Sequence, residues 1–219
     1  MPETIAERLP PDFDEDFRAK LHDLLVWRRD VRRFRRDPIA DSVVDRLIAA
    51  ACLAPSVGLS QPWRFVMVDD PARRAAISAN FSRCNSEALA AYAGDAAADY
   101  ARLKLAGLEE APRHLAVFAD EGAVQGRGLG RATMPETLRY SVVAAVCNLW
   151  LAARAEGIGV GWVSILDPKA AAAALEVPQD WTLIGYFCLG YPETEDDTPE
   201  LERERWARRA PCSEFVFRR

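Results

Sequence analysis

The stretch from Val142 to Ala153 is the longest apolar run of the chain, and Arg139 and Arg154 close it off. A bilayer-spanning helix needs about 20 apolar residues. The run is shorter than that, so it reads as a buried helix. Pro135 suits a first helical turn, and the helix is expected to run from there to about Glu156. It is apolar on more than one face. In a chain of 219 residues such a helix needs a core on one side and a cover on the other, which points to a subunit interface.

The other elements follow from periodicity and from turn residues. Residues 1–12 are polar, hold Pro10-Pro11 and read as an arm. Helical spacing predicts helices over 12–26 (Phe17, Leu21, Leu24, Leu25) and 41–53 (Val44, Leu47, Ile48, Ala51), the second behind a good N-cap. Residues 71–107 read as helical but rich in alanine, with a weak apolar pattern from Cys84 to Ala98. A charged helix is expected over 200–209. Short runs bounded by glycine and proline predict strands over 64–69, 114–119, 159–166 and 183–189. The fold class is α+β, with four or five strands and no internal repeat. One domain over 1–219 is expected.

Composition excludes several functions. The net charge of -5 provides no basic field for nucleic acid. The first residues, Met-Pro-Glu-Thr, lead into charges rather than an apolar signal core, and no membrane span is expected. Cys52, Cys84, Cys147, Cys188 and Cys212 show no C-x-x-C spacing, and suggest reduced, mostly buried thiols in a cytoplasmic protein. The only histidines, His22 and His114, form no ligand spacing, so no metal is expected. No Ser-His-Asp, Cys-His or Walker pattern is visible.

Three motifs carry chemistry. Arg28, Arg29, Arg32, Arg33, Arg35 and Arg36 fall within nine residues. Guanidinium groups bind phosphate bidentately, and several can hold a dianion. The run equally suits a solvated helix end. Asp30 within it needs either a pairing arginine or a ligand group. The second motif, Ala54-Pro55-Ser56-Val57-Gly58-Leu59-Ser60-Gln61-Pro62-Trp63, links a helix to a strand through small residues that let a flat ligand approach, or is a plain loop with Trp63 in the core. The third, Gly157-Ile158-Gly159-Val160-Gly161, leads into a strand rather than a helix, which excludes a dinucleotide fingerprint.

Together these motifs resemble the nitroreductase-like flavoprotein family, with its arginine-rich opening, its Pro-Ser-x-x-Asn-x-Gln-Pro-Trp loop, its glycine-rich turn and its basic C-terminal segment. The likeness runs from Arg28 to about Arg209. Asp30 stands where most members have serine, and Leu59 where many have asparagine. With Gly130 to Thr137 and Arg203-Glu204-Arg205-Trp206, these departures resemble one flavin-cleaving branch, the 5,6-dimethylbenzimidazole synthases. The resemblance implies a central, mainly antiparallel sheet flanked by helices, and a long buried helix at a homodimer interface. It implies oxygen-dependent cleavage of reduced FMN to 5,6-dimethylbenzimidazole and erythrose 4-phosphate. FMN is then a substrate rather than a retained cofactor, molecular oxygen is the co-substrate, and a separate flavin reductase supplies the reduced form.

The resemblance also assigns roles. Arg28, Arg29, Asp30, Val31 and Arg32 hold the phosphate, the ribityl chain and part of the ring. Arg205 completes the phosphate site. Pro55 and Ser56 lie in the loop that meets the pyrimidine side. Ser164 lies on the strand near the reacting face. Asp30 and Ser164 are the candidate catalytic residues, because a carboxylate and a hydroxyl can move or orient protons there. The segment 84–111 is a candidate lid that excludes water, and 199–219 a C-terminal extension. The rival readings are an NAD(P)H-dependent FMN nitroreductase or flavin reductase, and a non-enzymatic flavin-binding module.

Overall fold

The computed structural model describes residues 9–219; part of the expected arm over 1–12 lies outside them. The helices are α1 (Glu15–Trp27), α2 (Asp41–Ala51), α3 (Pro71–Ala90), α4 (Gly94–Arg102), α5 (Thr137–Ala155), α6 (Pro168–Ala174) and α7 (Glu200–Arg203). The strands are β1 (Trp63–Met67), β2 (Arg113–Asp120), β3 (Gly159–Val163) and β4 (Trp181–Gly190). They form one antiparallel sheet in the order β1-β2-β4-β3. The α+β class and the four-stranded antiparallel sheet agree with the sequence reading.

The sheet is covered on both sides. Leu115, Val117 and Ala119 of β2 alternate with Ala116 and Phe118, so the first set packs under α2 and α5 and the second toward α3 and α6. A central strand needs apolar residues on both faces, and β2 has them at every position from Leu115 to Ala119. Burying a side chain such as Leu115 contributes about 2–3 kcal/mol.

Helix α5 begins at Thr137, two residues after the expected proline, and buries Leu138, Val142, Ala145, Val146, Leu149 and Ala153. Its outer face carries Tyr140, Val143 and Cys147, all exposed. The helix stops at a glycine in the left-handed region, Gly157 (φ 72°). Gly157 N–H donates to Arg154 O and Ile158 N–H to Ala153 O, the paired bonds of a Schellman ending.

Four expectations need correction. The 71–107 helix is two helices, broken at 91–93, with no helix after Arg102. Gly94 takes a left-handed backbone (φ 58°) at little steric cost, which allows the break. The 200–209 helix is one turn, because Arg205 takes a left-handed backbone (φ 60°). The β3 strand ends at Val163 rather than Leu166. The thiols are not mostly buried: Cys188 is, Cys52 and Cys84 are half-buried, and Cys147 and Cys212 are exposed.

Candidate active site

The arginine segment leaves α1 at Arg28, which caps the helix in an extended conformation. It then runs beside β3. Asp30 bridges Val160 in parallel, and Val31 N–H donates to Val160 O at 3.0 Å. The third motif explains this approach. A Cβ on Gly159 would stand 2.7 Å from the Val31 side chain, and one on Gly161 would collide with Val31 O. The glycines seat the arginine segment on the sheet. Phe34 then plugs it in place, 1% exposed.

Asp30 is held by both oxygens. Oδ1 accepts from Trp162 N–H at 2.8 Å, and Oδ2 accepts from Arg32 Nε at 2.9 Å and lies 2.8 Å from its terminal nitrogen. Burial raises the Asp30 carboxyl above the usual aspartate range, against the opposing pull of Arg32 and of the Trp162 amide. Arg32 also donates to Lys104 O at 3.0 Å, so the segment is tied to the chain that follows α4.

The neighbouring cations are differently placed. Arg28 lies over the Trp150 ring, 4.9 Å from its centroid. The Trp150 indole N–H donates to Arg29 O at 3.1 Å. Arg29 Nε is buried and lacks a hydrogen-bond partner. The Arg29 guanidinium is lowered from its ordinary value by burial, then by Arg209 and by Arg28; Asp197 and Asp196 oppose this. Among the described residues, no carboxylate lies within ion-pair distance of Arg28, Arg29 or Arg209, whereas Arg33 is paired with Glu200. Arg28, Arg29, Asp30, Arg32 and Arg209 line a cavity of about 220 Å³ with Pro199, Glu200 and Leu201. Mutually repelling guanidiniums and an orphaned buried Nε are relieved by an anion. The donor set fits a phosphate.

The other expected residues are distributed. Ser164 is exposed, one residue past β3 and two beyond the Asp30 contact at Trp162. Ser56 Oγ accepts from Gln61 N–H at 3.1 Å, and Val57 N–H donates to Ser141 Oγ at 3.0 Å, which fixes the Pro55–Ser56 loop at the start of α5. Trp150, beside the arginines, is nine residues further along that helix, roughly 13 Å at 1.5 Å per residue. One chain therefore brings together Arg28 to Arg32, Val160 and Trp162, with Pro55 and Ser56 at the other end of α5. Arg205 is exposed in its turn, and Arg209 lines the cavity instead. Sequence reasoning missed Arg209, whose only signal was its place in the basic run Arg208-Arg209.

Comparison with known proteins bears on the family and the fold. The family model described as Nitroreductase family matches residues 25–191. A Rhodospirillum rubrum protein named 5,6-dimethylbenzimidazole synthase is 59% identical over 93% of this chain and 97% of its own length. A Rhodobacter capsulatus protein of the same name is 50% identical over 91% and 97%. Among solved structures, oxidised iodotyrosine deiodinase bound to FMN and 3-iodo-L-tyrosine is 27% identical, with a TM-score of 0.69 over 80% of this chain and 91% of that one. A Desulfovibrio desulfuricans protein in complex with FMN shares the fold at 22% identity, with a TM-score of 0.64 over 91% and 96%. The chain belongs to the nitroreductase family.

Proposed function

We propose that this protein cleaves reduced FMN with molecular oxygen, yielding 5,6-dimethylbenzimidazole and erythrose 4-phosphate. The observation that carries the reading is the cavity of unpaired Arg28, Arg29 and Arg209 directly beside Asp30. A phosphate-bearing ligand anchored there lies against the one carboxylate that departs from the family pattern. Two relatives that bear the synthase name over nearly their full length support the reaction class.

In this reading the flavin phosphate sits among Arg28, Arg29 and Arg209, with Arg205 on the rim. The backbone of Asp30, Val31 and Arg32 follows the ribityl chain. Asp30 and Ser164 flank the reacting part of the ring and hold or move protons there. The site is completed by a second copy of the chain, whose Pro55–Ser56 loop supplies the pyrimidine-side contacts. Exposed Phe17, Leu21 and Leu25 on α1 and Tyr140 and Val143 on α5 provide an apolar face for that copy. The 84–111 segment covers the ring and excludes water, within a single domain whose 199–219 extension closes the phosphate end. A separate flavin reductase delivers reduced FMN.

The test is direct. The pure protein is mixed with chemically reduced FMN under air, and the products are separated by chromatography. 5,6-Dimethylbenzimidazole in amounts stoichiometric with lost FMN is expected. Full recovery of oxidised FMN, or sustained NADPH oxidation with a nitroarene in place of ring cleavage, overturns the reading.

A further inference from the structure

Tyr92, in the turn between α3 and α4, and Tyr100, on α4, belong to an aromatic cluster that no part of the reaction requires. Tyr92 and Tyr100 stack with centroids 4.9 Å apart. Trp206, from beyond α7, sets its ring edge-on against both, at 5.7 Å and 6.1 Å. Tyr100 is buried, and its hydroxyl donates to Asn85 at 2.8 Å. The Trp206 backbone N–H donates to Leu201 O at 2.8 Å, which fixes the turn that carries the ring.

Three residues after Trp206 comes Arg209, at the phosphate-sized cavity. Three residues of chain span at most roughly 11 Å, so Arg209 cannot move far without Trp206. Arg209 also repels Arg29 while no anion lies between them. A dianion in the cavity attracts both guanidiniums and so offsets that repulsion, which favours an inward position of the 205–209 segment. The far end of the cover is already joined to the same site, through Arg32 and Lys104 O.

We propose that Trp206 is a positioning residue that clasps the α3–α4 cover shut in response to the phosphate, so that the cover reads the phosphate end of the flavin rather than its ring. The inference rests on the reading of the arginine cavity and of the cover given above, and deepens it. It makes the protein discriminate FMN from riboflavin at the closing step as well as by affinity. The clasp does not touch the reacting atoms.

The test is hydrogen–deuterium exchange over 88–105 in the full-length protein, with reduced FMN, reduced riboflavin or inorganic phosphate under anaerobic conditions. FMN is expected to slow exchange by about tenfold in the wild type, as the aromatic contacts are secured. Phosphate alone should reproduce part of this, and riboflavin none. Trp206→Ala should abolish the protection while FMN still binds within about threefold of wild type, and Trp206→Phe should restore it. Tyr92→Ala attacks the same contact from the other side and should match Trp206→Ala, which guards against one variant's misfolding. Equal protection by riboflavin, or protection that survives both alanine variants, overturns the clasp. Phosphate-dependent protection without benzimidazole formation leaves the clasp standing and sinks the proposed reaction. Benzimidazole formation with protection indifferent to Trp206 does the reverse.

Discussion

Both carboxylate oxygens of Asp30 are engaged by protein donors, so the side chain is oriented before any ligand arrives. That suits a group that must face one place on a ring, and it restrains Arg32 as well. Asp30→Asn keeps the shape but removes the charge and sets an amide N–H₂ or a weaker acceptor against Arg32. Product formation is expected to fall by about 10²-fold or more, with FMN affinity changed by less than about threefold. Ser164→Gly should act similarly, since the residue is exposed. Chromatographic yield and fluorescence titration measure the two quantities, and an unchanged yield from either variant removes that residue from the chemistry. Leu59 stands apart from the reaction: it holds a left-handed backbone (φ 56°) with its side chain 69% exposed. Leucine pays roughly 1 kcal/mol for that region, whereas asparagine tolerates it. Leu59→Asn should raise the urea midpoint by the equivalent of about 0.5–1 kcal/mol at unchanged slope.

At the scale of elements, β2 and β4 are cross-linked inside the sheet by His114 Nδ1 and the Tyr186 hydroxyl, 2.8 Å apart and fully buried. Burial, and then the charge of Arg74, push His114 down to about 4. The folded protein keeps the imidazole neutral, while the unfolded chain protonates it near 6.5. The unfolded state thus binds more protons between those values. The stabilisation is complete above about pH 6.5 and is lost as pH falls toward 4, about 3 kcal/mol in all. Thermal melts between pH 7 and pH 4.5 should show that loss, and His114→Gln, though less stable at pH 7, should flatten it. Strands and long helices were legible because alternation and turn residues mark them locally, as at β2. The purpose of Gly159 and Gly161 was not, since the backbone they admit lies some 130 residues earlier in the chain. The length of α7 was also hidden. Its charged residues have good helix propensity, and only the left-handed Arg205 stops it.

For the whole molecule, the arginine motif and the Pro55–Ser56 loop were both readable, but their separation along α5 was not, because spacing in sequence does not report which end of a helix a loop meets. In the proposed reading a second copy resolves that separation. Phe17, Leu21 and Leu25 line one stripe of α1, with Phe13 just before the helix, each at least 40% exposed, too apolar for a face left in water. Leu21→Glu with Leu25→Glu should convert a dimer to a single-chain species in sedimentation, and should cost product formation together with it. Wild-type yield from such a monomer would show that each chain carries a complete site. Trp150 offers a way to watch that site directly. Its ring lies under the Arg28 cation, and its N–H holds the backbone of Arg29. Any anion that draws Arg28 away changes the electric field at one indole. The protein therefore carries its own optical gauge of occupancy, read as the part of the emission change on adding inorganic phosphate that Trp150→Phe removes.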